Sequence, residues 1–297
     1  MKKRLDWRRA LLIGLTILTT PAWGLEVVAT SPSMGALVRT LAPDATLTVL
    51  AGPNRDLHTL QAKPTMIHAL RKADLVVAIG AELEVGWLPA AISSAANPRI
   101  LPGREGYFEA AAQVPLLEVG GPADRALGDV HPAGNPHVNL DPTRMAQVAE
   151  ALAARLAQLD PAGASAYRSN AERFAGEVAR RLPDWEARLS GAPGAVLYHS
   201  DAIYLLDRFG VPLLGTIESV PGVPPSGRDI RKLASSLSGK RGVIIYAPYQ
   251  APKAPRKLGR DLGWTVAVLP LEPPLSADGN GYLRHIDRWV TTLAGAG

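Results

Sequence analysis

Cysteine is absent from the 297 residues, and aromatic residues make up only 5%. The first absence excludes disulfides, cysteine-ligated zinc, iron–sulfur clusters, a thiol nucleophile and a cysteine-linked lipid anchor. The second argues against a cleft built for stacking sugars. Hydrophobic residues at 47% and charged residues at 20% are enough for a packed core and against bulk disorder. By length the chain makes two domains or one large one.

The formal charge of +5 is carried mostly by the start of the chain. Residues 1–9 read MKKRLDWRR, followed by the apolar run ALLIGLTILTT and then Pro21-Ala22-Trp23-Gly24. A basic stretch, an apolar run and small residues before a cut after Gly24 make a secretory signal peptide, residues 1–24. A membrane anchor needs about 20 apolar residues, more than this run offers. Losing Lys2, Lys3, Arg4, Arg8, Arg9 and Asp6 takes the formal charge from +5 to +1. No block of like charges remains to track a phosphate backbone, so no nucleic-acid partner is expected. No later apolar run is long enough to span a membrane.

The mature chain alternates strands with helices. Strands are expected at Leu25–Thr30, Thr46–Leu50, Asp74–Gly80 and Arg99–Leu101, with helices after the first, across Lys63–Ala73 and across Leu88–Ala96. Residues 102–141 are rich in Gly and Pro and read as a long loop. From Pro142 to about Leu189 the spacing is helical, interrupted at Asp160-Pro161, and reads as a spine. The alternation then resumes, with strands at Ala195–Tyr198, Val211–Ile217, Gly242–Tyr246 and Thr265–Leu269. Ser226 and Asp229 stand in capping-box spacing before one of the helices. The pattern predicts an α/β fold of two βα lobes with parallel sheets. Residues 25–141 form the N-terminal lobe, 142–190 the helical spine and 191–297 the C-terminal lobe.

The chain has six histidines. His58 follows the second strand, His137 precedes the spine, and His199 ends a strand of the second half. Glu272 follows the last strand. Ligands of open α/β sheets bind beyond the carboxyl ends of the strands, so closing two lobes would gather these four. Three imidazoles and a carboxylate without thiolate suit a tetrahedral zinc ion, whereas more oxygen ligands would suit manganese. Asp56 and Asp141 lie close in sequence to His58 and His137, where orienting groups are wanted. His68 and His285 fall in helices and read as surface residues. His131, in HPAGNPH, reads as a fifth ligand, a transient capture residue or a plain loop histidine, the last two being favoured.

These segments resemble those of the periplasmic solute-binding proteins of zinc/manganese ABC transporters. The resemblance covers essentially the whole mature chain. AGPNRDLHTLQAKPTMIHALRKADLVVAIGAELEVGWL is similar to the family's block with the first histidine. NPHVNLDP is similar to its second histidine motif, HSDAIYLLDRFGV to its third, and VLPLEPPL to the segment whose acid completes the site. The resemblance implies that His58, His137, His199 and Glu272 are metal ligands, with no catalytic residues. It implies two four-stranded lobes joined by one long helix, with the metal between them and limited hinge motion. It also implies a protein that carries Zn2+, or alternatively Mn2+, as its transported ligand to an inner-membrane permease. A periplasmic metallochaperone as supplier stays open, and a monomer suits a shuttle. This chain departs from the pattern in reading Asp56-Leu57-His58 where Asp-Pro-His is usual. Its loop before the second histidine is also short, with only His131.

An exported zinc hydrolase is the alternative class. The sequence has no HExxH helix and no GxSxG elbow, and four protein ligands would leave the ion no open position. Metal capture requires neutral imidazoles, so affinity is expected to fall below about pH 6.

Overall fold

The computed structural model describes residues 24–120, 130–218, 220 and 222–295. All of the segment read as a signal peptide except Gly24 lies outside them.

Among the described residues, eight short strands form two sheets. β1 (Glu26–Ala29), β2 (Thr46–Val49), β3 (Leu75–Ala78) and β4 (Tyr107–Glu109) make the first, in the order β2-β1-β3-β4. β5 (Ala195–Leu197), β6 (Leu213–Thr216), β7 (Val243–Tyr246) and β8 (Thr265–Val268) make the second, in the order β6-β5-β7-β8. Every pairing is parallel. The central strands β3, β5 and β7 are buried throughout, which accounts for LVVA, AVL and VIIY, whereas edge strand β2 alternates exposed Thr with partly covered Leu and Val. In each sheet the chain starts centrally, adds one neighbour, then crosses to the other side. The crevices between β1 and β3 and between β5 and β7 are therefore topological switch points.

Helices fill the crossovers. α1 (Pro32–Leu41), α2 (Pro64–Lys72) and α3 (Leu88–Ala95) each carry proline in the first turn, where its missing N–H costs nothing. α4 (Pro142–Leu159) starts on Asp141, whose carboxylate accepts from the Thr143 and Arg144 amides. α5 (Ala164–Leu189) follows after a 3-10 turn at Pro161–Gly163. α6 (Ile203–Arg208), α7 (Gly227–Ser236) and α8 (Lys253–Leu262) follow strands of the second sheet, whereas α9 (Gly279–Ala294) packs against α1 and α5. The capping box at Ser226 and Asp229 forms as the spacing predicts.

One apolar cluster lies under both sheets. It joins Val27, Leu75 and Val77 of the first to Ala195, Leu197, Val243 and Ile245 of the second, through side chains of α1, α4, α5 and α9. A smaller cluster packs the opposite face of the second sheet, Val196, Ile244 and Tyr246, against Ile230 of α7 and Leu258 of α8. A core continuous from lobe to lobe opposes wide separation of the two.

Four expectations need correction. Arg99–Leu101 is not a strand: Pro98–Ile100 is a 3-10 turn whose Asn97 side chain accepts from the Arg99 amide. The fourth strand is β4, inside the segment read as loop, where Tyr107 and Phe108 pair with Val76 and Val77. Gly103 and Gly106, just before it, hid a strand only three residues long. The spine is a hairpin rather than one rod. Pro161 lacks the amide to continue α4, and α5 turns back to pack on α4, α1 and α9. His285 is buried, at 1% exposure, on the inward face of α9. Its ring lies 3.3 Å from the Leu271 carbonyl and 3.3 Å from an Arg288 guanidinium nitrogen. Its pKa is lowered to about 4, by burial first and then by the Arg288 charge.

Candidate metal centre

The loops leaving the carboxyl ends of both sheets converge on a cluster of histidines. His58 stands on the long loop between β2 and α2. Asp56 fixes it twice: one carboxylate oxygen accepts from the His58 amide and meets its Nδ1, both at 2.9 Å. Burial alone would raise the Asp56 pKa, but the hydrogen bonds and charge of His58 outweigh it and hold the carboxyl below its ordinary value. An Nδ1–H donated to Asp56 leaves the lone pair on Nε2, the nitrogen turned towards the other rings.

The segment after β3 supports that loop from beneath. The Trp87 indole Nε1–H donates to the Leu57 carbonyl at 2.9 Å. Gly86 lies so close that an added Cβ would stand 3.1 Å from the His58 carbonyl. Glu84 is buried and accepts from the Thr30 hydroxyl and from the amides of Ile79 and Gly80. Burial raises its pKa. This acid anchors the turn, which holds Ala81 and Glu82 at positive φ.

His137 comes off the end of the segment that follows β4. Its amide donates to the Asn135 side-chain oxygen at 3.0 Å, an Asx turn. Asn135 in turn donates to the Ser200 carbonyl, beside His199, at 3.1 Å. His137 is buried, and its Nε2 has no hydrogen-bond partner. Its pKa lies well below the ordinary value, by burial first and then by the neighbouring histidines. A neutral, buried imidazole with an unsatisfied nitrogen is costly unless something occupies the space before it.

His199 ends the run after β5. Asp201 lies 3.9 Å from its Nε2 and Glu218 3.9 Å from its Nδ1. Glu272 arrives from the loop after β8. Its Oε2 accepts from the Ser33 amide at 2.6 Å and its Oε1 from the Asn139 side-chain amide at 3.1 Å. Burial, the largest effect, raises its pKa to about 7 against the pull of Ser33.

Among the described residues, His58, His137 and His199 each present a nitrogen within 4.8 Å of the other two. Their ring centres lie 5.3, 5.9 and 5.7 Å apart. Zinc–imidazole bonds of about 2.0–2.1 Å place tetrahedral nitrogens about 3.3 Å apart, so small side-chain movements would close the three on one ion. The donor set fits a borderline divalent cation. Glu272 stands outside this mutual grouping but lines a small cavity with His58, His137 and Asn139. A second cleft of about 230 Å³, lined by Asp56, His199, Asp201, Glu218 and Tyr249, opens beside the cluster.

His131 also stands outside this mutual grouping but touches it at His58. Its Nε2 lies 3.1 Å from His58 Nε2, with ring centres 5.2 Å apart. His68 is exposed on α2. Of the two aspartates considered as orienting groups, Asp56 holds His58. Asp141 instead caps α4 and pairs with Arg144 at 2.6 Å and Arg208 at 3.1 Å. Sequence reasoning passed over Asn135, Asn139, Ser33 and Trp87. The Asn-Pro-His run, with its potential Asx turn, was the available signal for Asn135.

The family model for the zinc-uptake complex component A, periplasmic, matches residues 27–296. A curated relative, the high-affinity zinc uptake system protein ZnuA of Yersinia pestis, is 24% identical over 265 residues, covering 82% of each chain. A crystal structure of ZnuA superposes with a TM-score of 0.77 at 21% identity, over 92% of this chain and 99% of that one. The solute-binding protein FpvC of Pseudomonas aeruginosa, solved with Mn2+, superposes at 0.75 with 23% identity, over 92% of this chain and 98% of that one. With 270 consecutive residues matched, the chain belongs to the zinc-uptake complex component A family of periplasmic proteins.

Proposed function

We propose that this protein captures a divalent transition-metal ion, zinc in preference to manganese, in the periplasm and delivers it to an ABC importer in the inner membrane. The observation that carries this reading is the convergence of His58, His137 and His199, with the buried His137 Nε2 unsatisfied. Imidazole donors favour zinc over manganese, which prefers oxygen. The family's description as a zinc-uptake component and the zinc-uptake relative support the same metal.

In this reading the three imidazoles hold the ion, and Glu272 faces the same cavity from the C-terminal lobe to offset its charge. Residues 25–141 and 191–297 act as the two lobes and 142–190 as the helical element joining them. Residues 1–24 are the export signal, removed in the mature carrier. The chemistry is binding and release, with no bond made or broken in a substrate. A permease meets the lobe surfaces around the cleft, and a monomer is sufficient for the task.

Elemental mass spectrometry of the mature protein, after loading with Zn2+ or Mn2+ and desalting, tests this. One zinc per chain is expected, retained poorly or lost in His58→Ala, His137→Ala and His199→Ala. No retained metal in the wild-type protein would overturn the reading.

A further inference from the structure

His131 has no role in the ligand set described so far, yet it is placed to serve in it. Its Nε2 faces His58 Nε2 at 3.1 Å, and its ring stands 6.4 Å from that of His137. Two imidazole nitrogens on one tetrahedral zinc stand about 3.3 Å apart. The His131–His58 pair therefore already has the spacing of two ligands to a common ion, and His131 would have to move with that pair towards the other two, because it stands outside the set of three whose nitrogens all lie within 4.8 Å of one another. Asp56 holds the Nδ1 of His58, so the His58 lone pair and the Nε2 of His131 meet at one point. In the metal-free protein a proton occupies that point as a hydrogen bond. A cation there would take both nitrogens, with the remaining His131 proton on Nδ1.

Glu272 is the competitor for the fourth position. Both its oxygens are engaged on the cavity wall, one by the Ser33 amide and one by Asn139. Reaching the ion would break one of these buried bonds, whereas the His131 Nε2 already lies against the ligand nitrogen of His58. Four neutral imidazoles leave the ion's double charge uncompensated by its ligands. Asp56, Asp201 and Glu218 lie against the rings of His58 and His199 and supply negative charge from outside.

We propose that His131 is a fourth imidazole ligand, so that the ion is held by His58, His131, His137 and His199, with Glu272 as a charge partner on the cavity wall. The inference rests on the metal-capture reading and assigns the donor that reading leaves open. An all-imidazole set has a consequence for selectivity. It favours zinc and its borderline neighbours and penalises manganese more than a three-histidine carboxylate site does.

The test counts ligating imidazoles. Protein labelled with heavy nitrogen in histidine is loaded with the NMR-active isotope of cadmium as a zinc surrogate. Metal–nitrogen coupling then splits the signal of each bound imidazole. Four split signals are expected in the wild-type protein and in Glu272→Gln, and three in His131→Ala. Zinc affinity, by competition with a chromophoric chelator, should drop by about tenfold or more in His131→Ala. Three split signals in the wild type, with His131 unsplit, would overturn the proposal while leaving metal capture standing. Failure of the wild type to bind cadmium or zinc at all would overturn the functional reading itself. Circular dichroism of His131→Ala separates ligand loss from misfolding. If that variant is misfolded, the wild-type count still decides.

Discussion

The indole Nε1–H of Trp87 donates to the carbonyl oxygen of Leu57 at 2.9 Å, so a side chain thirty positions on fixes the backbone next to His58. The bond links the turn after β3 to the loop after β2 and is buried. The usual family sequence places a proline before this histidine. Here Leu57 stands there, and the conformational freedom of the Leu57–His58 backbone is limited by Trp87, Gly86 and Asp56 instead.

Trp87→Phe keeps the ring but removes the donor and leaves a buried carbonyl unsatisfied. Stability should drop by about 1–3 kcal/mol, read by urea denaturation. Zinc affinity should also fall, because the His58 loop loosens. Unchanged affinity would mean the loop is set by Asp56 alone.

Asp56 holds the Nδ1 of His58 at 2.9 Å and thereby turns Nε2 towards the neighbouring histidines. Asp56→Asn keeps the shape but loses the charge that strengthens this bond. Zinc affinity is expected to fall by about 10–100-fold with the fold intact, measured by chelator competition beside circular dichroism.

His285 should make the protein acid-sensitive. Its pKa is about 4 in the folded protein, against an ordinary 6.5. Above 6.5 the ring is neutral folded or unfolded. Between about 6.5 and 4 only the unfolded chain takes up the proton, so stability falls as pH falls, by up to about 3 kcal/mol. Below about 4 both states are protonated and this loss stops growing. Denaturation midpoints of the metal-free protein across this range should slope less in His285→Gln.

Tyr204 couples the lobes. Its hydroxyl donates to the Asn135 carbonyl at 2.5 Å and accepts from the Leu117 amide at 2.9 Å. The Arg144 guanidinium lies over its ring at 4.6 Å. Tyr204→Phe should speed amide exchange at Leu117 and lower stability by about 1–2 kcal/mol. It should spare exchange in β5 and β7.

Much of the fold was legible because the central strands are short apolar runs and the helices announce themselves. Pro32, Pro64 and Pro142 open helices, and the Ser226–Asp229 pair caps one. What misled were local signals overridden by pairing. Ile100 looks like part of a strand, but Asn97-Pro98 commits the segment to a turn. The residues that complete the sheet, Tyr107–Glu109, are only three and come just after Gly103 and Gly106. The three converging histidines were legible because strand-end loops of parallel sheets meet at one place. The environment around them was not. Nothing in the spacing of His131 distinguishes a loop residue from one 3.1 Å from His58. Likewise the engagement of both Glu272 oxygens depends on Ser33 and Asn139, more than a hundred residues away in sequence. His285 has the helical spacing of α9, but spacing alone did not reveal that its position faces the core.

The central claim is that one ion sits among the histidines at the mouth of both sheets. Anomalous diffraction from crystals of the zinc-loaded mature protein, collected on either side of the zinc absorption edge, tests it most directly. A single strong anomalous peak bonded to His58, His137 and His199 is predicted. A peak elsewhere on the chain, or none in protein that carries zinc by elemental analysis, would contradict it.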